Sequence, residues 1–249
     1  MPRAGLEGGR ACPMHILLLR PERTRPDGTR VRKPVVRIRG RKYGPVSSET
    51  VLSIRRDLAV YGPAQSGKTR WLAKLHDGAA AIWSTQREVL HLRVVDPLGA
   101  WSEDPRIAAA CDARAAADST RRPWAKLRAF ERTAELVAWV EQMRPVLIVD
   151  DVHLAAGRKA DVLRQLVGGC LVMVYSATEP QRIPMSLRTL LQRREPQEVN
   201  LKSEAAYDAT GVFFWFLILL SAAAGAWPVA AALGGLKVMG GGRRAAKQT

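Results

Sequence analysis

Acidic residues and cysteines are both scarce in this chain. Its 249 residues hold 23 Asp and Glu against 39 Lys and Arg, a formal net charge of +16, and only three cysteines. Cys12, Cys111 and Cys170 are odd in number and far apart, so they indicate no disulfide framework and suit a reducing compartment. The four histidines, His15, His76, His91 and His153, lack metal-ligand spacing, and Cys12 with His15 is too small a set for zinc. The apolar run at 15–19 is short and ends at Arg20 without a small-residue cleavage site, which argues against a signal peptide. One absence points to a feature: residues 209–236 form 28 consecutive positions without a charge. About 20 apolar residues span a bilayer, and Phe213, Phe214, Trp215 and Trp227 sit near the ends of this run as interface anchors do. A single transmembrane segment at 210–236 is expected, in the inner membrane with the preceding domain cytosolic.

The basic charge is uneven. Residues 20–45 hold ten Lys and Arg against Glu22 and Asp27, and the tail at 237–249 adds four cations, so the body between is nearly balanced. With 47% hydrophobic residues the chain suffices for one α/β domain with appendages. Residues 1–13 are rich in Gly, Pro and Arg and read as disordered. Residues 15–20 and 31–39 read as two short strands joined by a turn, within a basic N-terminal extension at 14–50. In the second strand Val36 and Ile38 alternate with Arg37 and Arg39. The basic face is read either as a grip on DNA or acidic lipid, or as a solvated surface.

The motif that organises the chain lies at residues 58–69, LAVYGPAQSGKT. Gly62, Pro63, Ala64, Gln65, Ser66, Gly67, Lys68 and Thr69 fit G-x-x-x-x-G-K-[ST] between an apolar strand pattern and a helix pattern. Glycines let the loop turn its N–H groups around phosphate oxygens, Lys68 adds a cation, and the Thr69 hydroxyl can ligate Mg²⁺. The N-terminus of the following helix, 68–76, adds its positive dipole end. The expected cofactors are ATP and Mg.

Residues 145–151, PVLIVDD, read as a buried parallel strand that presents Asp150 and Asp151 at its carboxyl end, where ligands bind in open parallel sheets. Asp150 is expected to hold Mg²⁺ through water, and Asp151 to orient and deprotonate the attacking water. A further apolar strand at 171–175 ends in Ser176, Ala177 and Thr178. Ser176 is read as a γ-phosphate sensor with Thr178 behind it, or as a strand-end cap. A helix at 183–192 carries Arg188 and leads to Arg193 and Arg194, one of which, taken as Arg193, is an arginine-finger candidate across a homo-oligomer interface. Strands are also expected at 79–83, 91–96 and 198–201, and helices at 105–117, 124–143 and 159–167. In the 124–143 helix Leu127, Phe130, Ala134, Val137 and Val140 form the apolar stripe. The tryptophans read as core residues rather than as a stacking platform for bases.

This order of elements over 58–201 resembles the additional-strand (ASCE) branch of P-loop NTPases, which implies a doubly wound, mostly parallel sheet over 51–203. In that branch a Glu usually follows the first acid, and here Asp151 stands in its place. DDVH at 150–153 is also similar to signal-transducing STAND and NB-ARC ATPases. A P-loop domain followed by one membrane helix and a short basic tail resembles the Zot-like assembly proteins of filamentous phages, which implies ATP-driven DNA export. The small size is similar to FtsK/HerA-type phage packaging ATPases.

Overall fold

A computed structural model describes residues 14–25, 28, 30–39, 45–84, 86–201, 219–221, 223 and 225. The chain divides into two compact units, Met1–Ser203 and Glu204–Thr249. In the second unit the described residues 219–221 and 223 are helical. Most of the span expected at 210–236, and the whole tail at 237–249, lie outside the described residues. Among the described residues no helix is long and apolar enough to cross a membrane.

The first unit is built on a five-stranded, wholly parallel sheet in the order β5-β6-β7-β4-β8. Its strands are β4 (Leu58–Tyr61), β5 (Val89–Arg93), β6 (Val146–Asp150), β7 (Val172–Ala177) and β8 (Gln197–Asn200). β4, β6 and β7 are buried at every position, as a parallel sheet covered on both faces requires. β7 lies between the P-loop strand β4 and the acidic strand β6, which is the additional strand the element order implied.

One face of the sheet is covered by α4 (Ala129–Met143), α5 (Arg158–Gly169) and α6 (Met185–Arg193), whose Leu136, Trp139, Leu163, Leu166 and Leu187 share a core with Leu147, Val149 and Tyr175. The opposite face meets α1 (Lys68–Asp77) and α2 (Ala79–Trp83) through Trp71, Leu72, Leu75 and Ile82. α3 (Pro105–Ala117) starts where the sequence placed it, with Pro105 at its first position and the Asp104 carboxylate accepting from the Arg106 N–H at 2.9 Å.

The N-terminal extension is a three-stranded antiparallel sheet, β1 (Met14–Thr24), β2 (Arg30–Arg39) and β3 (Val46–Val51), which adds one strand to the expected pair. Leu17, Val36 and Leu52 belong to the same buried cluster as α1 and α2. Lys74 Nζ donates to the Leu17 carbonyl at 2.8 Å, and Trp83 Nε1 to the Ile54 carbonyl at 3.0 Å. At Gly78 a Cβ would stand 2.4 Å from Leu19 Cδ1, so a larger residue at the α1–α2 corner would require the Leu19 side chain on β1 to shift.

Two expectations change. Residues 79–83 form the short helix α2, not a strand: its alanines favour helix, and the apolar side chains Ala79 and Ile82 are spaced to bury on one helical face. The 124–143 helix begins at Ala129, after a 3₁₀ turn at Trp124–Lys126, and buries Thr133, Leu136, Trp139 and Val140. Of the expected stripe Phe130 is 52% exposed, because burying Trp139 and Leu136 turns the helix away from it.

At the amino end of the sheet the Asp57 side chain, 5% exposed, accepts from the Met173 N–H at 2.9 Å. Arg194 Nε donates to Asp57 Oδ2 at 2.5 Å, and the guanidinium also reaches the Val167 and Leu171 carbonyls at 3.1 Å. This clamp joins the starts of β4 and β7 to the end of α6. Asp57→Ala removes the acceptor from a buried N–H and a partly buried guanidinium. It is expected to destabilise the first unit by about 3 kcal/mol, read as a lowered midpoint in urea unfolding followed by tryptophan fluorescence.

Candidate functional site

β4 ends at Tyr61, and the chain then turns through Gly62 to Gly67 into α1. Gly62 has φ 158°, and a Cβ there would lie 2.6 Å from the Leu201 carbonyl oxygen and 2.7 Å from Ser66 Oγ. The loop can therefore pass the end of β8 only with glycine at its first position. Gly67 is left-handed (φ 87°) and Gln65 likewise (φ 62°), which curls the loop back on itself. Lys68 is buried, and its Nζ donates to the Gly62 and Pro63 carbonyls at 2.9 and 3.0 Å. The ammonium is thus held against the loop it closes.

The loop opens on a cleft of about 650 Å³ lined by Ala64, Gln65, Gly67, Lys68, Thr69, Arg70 and Ala73 on one side, and Asp151, His153 and Thr178 on the other. All three of the latter follow the carboxyl ends of β6 and β7, so the cleft sits where a parallel sheet presents its polar edge. Among the described residues, Ser66 Oγ, His153 Nδ1 and Thr178 Oγ1 near this edge are buried without a hydrogen-bond partner. Buried polar atoms are nearly always satisfied, and His153 and Thr178 both line the cleft, so a polar ligand there can supply partners.

The two acids are held differently. Asp150 is 2% exposed, and the Ser176 hydroxyl donates to its Oδ1. Ser176 Oγ in turn accepts from the Asp151 N–H at 2.9 Å. Asp151 is left-handed (φ 59°, ψ 46°), a conformation that Asp adopts more readily than most residues. The turn aims its carboxylate into the cleft, where burial first and Asp150 second raise its pKa above the usual carboxylate value.

Lys68, Thr69 and Asp151 therefore meet at one cleft, whereas Asp150, the expected metal ligand, is 2% exposed and is not among the lining residues. Ser176, the sensor candidate, is fully enclosed and ties the two acids together. Thr178, its expected backup, is the hydroxyl that lines the cleft. Arg193 is exposed at the end of α6 and is not among the cleft-lining residues, while Arg194 is engaged by Asp57. His153 and Arg70 line the cleft without having been singled out. Sequence assigned a role to neither, although His153 closes the DDVH stretch at 150–153, because no spacing rule applies to them. The only available signal was position: His153 is in the turn after the acidic strand, and Arg70 directly follows Thr69.

The residues present fit a nucleoside triphosphate with a hard divalent cation. The orphaned Ser66 hydroxyl belongs to the phosphate loop, and the Thr69 hydroxyl and Asp151 carboxylate that line the cleft are oxygen donors of the kind Mg²⁺ prefers. When bound, the ion neutralises phosphate charge. The arrangement resembles that of P-loop NTPases.

No family model matches the sequence, and no curated protein matches it. Among solved structures it is similar to a DNA replication initiation factor, at 14% identity over 60% of this chain and 40% of the other, with a TM-score of 0.39. Domain III of the Thermotoga maritima replication initiation protein DnaA aligns at 15% identity over 58% of this chain and 54% of that one, TM-score 0.36. EccC (ATPases 2 and 3) of Thermomonospora curvata aligns at 17% identity over 80% and 37%, TM-score 0.39. The chain thus spans about half or less of each of these structures.

Two predictions follow from this geometry. Gly62→Ala is expected to cost about 1–3 kcal/mol by overpacking against Leu201 and to weaken binding of a fluorescent ATP analogue at least tenfold, about 1.4 kcal/mol. For Asp151 the raised folded-state pKa means that the native state favours the protonated carboxyl. Its contribution to stability is present at low pH and lost as pH rises through that pKa. Nucleotide-free Asp151→Asn is therefore expected to melt above the wild-type protein at pH 7, with the gap closing as the pH falls toward 4.

Proposed function

We propose that this chain binds ATP with Mg²⁺ and hydrolyses it. The convergence of Lys68, Thr69 and Asp151 on one cleft supports this reading. In it the loop from Gly62 to Gly67 and Lys68 hold the triphosphate, Thr69 and Asp150 hold the metal, Asp151 receives a proton from the attacking water, and Thr178 faces the γ-phosphate. Arg193, exposed on α6, is available to a neighbouring copy in a homo-oligomer.

The same reading places the NTPase domain on the cytosolic side of the inner membrane, anchored by the uncharged segment at 210–236. The work we propose for it is movement of DNA during phage or virion assembly, as packaging or export. The basic N-terminal sheet supports a DNA contact. Arg20, Arg23, Arg30, Arg32 and Lys33 are exposed there, and among the described residues Arg20 pairs with Glu49 and Lys33 with Glu22. The left-handed Asp151, one methylene shorter than Glu, supports a second reading: a membrane-associated switch with slow hydrolysis, in which bound ATP holds a conformation.

The test is ATP hydrolysis by the full chain in detergent, with and without single- and double-stranded DNA. For a DNA motor, DNA raises turnover, and Lys68→Ala and Asp151→Asn each lower it by about 10²–10⁴. Tight ATP binding with slow turnover that ignores DNA would favour the switch, and no nucleotide binding would overturn both.

A further inference from the structure

We propose that His153 is a catalytic residue of the hydrolytic step, holding the attacking water jointly with Asp151. The inference rests on the hydrolase reading above and extends it to a residue to which the sequence assigned no role.

His153 sits in the 3₁₀ turn Val152–Leu154 that follows the acidic strand. Its side chain is 10% exposed, yet it lines the nucleotide cleft, and its Nδ1 is buried without a hydrogen-bond partner. A side chain enclosed by the protein, with a polar atom left over at the edge of a ligand cleft, points to a partner that arrives with the ligand. The nearest acidic oxygen is Asp151 Oδ1, 3.9 Å from Nδ1. That gap is too long for a direct hydrogen bond. One water can span it with contacts of about 2.8 Å once the imidazole, whose Nδ1 is enclosed at the cleft, turns that atom toward the incoming phosphate.

A water so placed donates one hydrogen to the Asp151 carboxylate and the other to Nδ1, with the imidazole proton on Nε2. Its lone pair is then free to face the γ-phosphorus. In the step, the water oxygen forms a bond to that phosphorus as the bond to the β,γ-bridging oxygen breaks. One proton passes to Asp151, and the products are ADP and orthophosphate. Burial lowers the His153 pKa and Lys68 acts in the same direction, against the opposing pull of Asp151, so the ring enters the step neutral with a lone pair to offer. The arrangement also accounts for the short acid. With Asp151 one methylene shorter than a Glu, a second acceptor on the same turn shares the task of fixing the water.

The test uses the full chain in detergent, with single-turnover ATP hydrolysis and the Kd for a fluorescent ATP analogue measured for three variants. His153→Leu is expected to lower the hydrolysis rate about 100-fold and to change the Kd less than about threefold, under 1 kcal/mol. His153→Asn, whose amide oxygen takes the place of Nδ1, is expected to stay within about tenfold of the wild-type rate, roughly 1.4 kcal/mol, and above His153→Gln, whose oxygen falls nearer the place of Nε2. If His153→Leu folds poorly by thermal melting, the ranking of Asn over Gln decides. A wild-type protein that hydrolyses ATP while His153→Leu matches its rate, or while Gln equals Asn, would overturn the role of His153 alone. A wild-type protein without turnover would overturn the hydrolase reading on which it rests.

Discussion

The hydroxyl of Ser176 carries the arrangement of the cleft. It donates to the Asp150 carboxylate and accepts from the Asp151 N–H, so one side chain on β7 fixes both acids at the end of β6. The bond is enclosed, since Ser176 is fully buried, and in a low-dielectric setting such a charge-assisted link is hard to exchange for water. Asp151 can then adopt its left-handed turn with its N–H satisfied and its carboxylate aimed at the phosphate loop. His153 follows two residues later, so the direction of its ring is set by the same turn.

The opposite end of the sheet shows a parallel solution. Asp57 is nearly as buried as Asp150, but its charge is met by Arg194 and the Met173 N–H. One acid is thereby committed to holding β4, β7 and α6 together. At the carboxyl ends, among the described residues, Asp150 is bonded by the Ser176 hydroxyl and not by a cation, and Asp151 turns its carboxylate into the cleft. The same residue type is structural at one edge and chemically available at the other, and the difference lies in the partner each meets.

Much of the fold was legible because burial on both faces forces parallel strands to be continuously apolar. β4, β6 and β7 stand out for that reason, and the acids and hydroxyls at their ends mark the edge where the chain turns polar. The misread elements are those where local pattern underdetermines structure. Residues 79–83 are apolar and short, a run whose periodicity suits strand or helix, and the alanine content with burial of Ala79 and Ile82 on one face gives the helix. In α4 two overlapping apolar stripes competed, and the one containing Trp139 prevailed because it buries more area.

The sequence by itself determined the phosphate loop, the acidic strand and the identity of the two acids, since those depend on residue types at fixed short spacing. The loop requires Gly62, Gly67, Lys68 and Thr69 wherever the rest of the chain lies. Tertiary structure alone decided which hydroxyl faces the cleft and which binds the acids, because Ser176 and Thr178 differ only in their position relative to β6. It also decided that Arg194 closes a structural clamp and that His153 reaches the cleft. These are contacts between residues far apart in the chain or on turns of unmarked geometry, and their energies depend on distance in space, which no local pattern encodes.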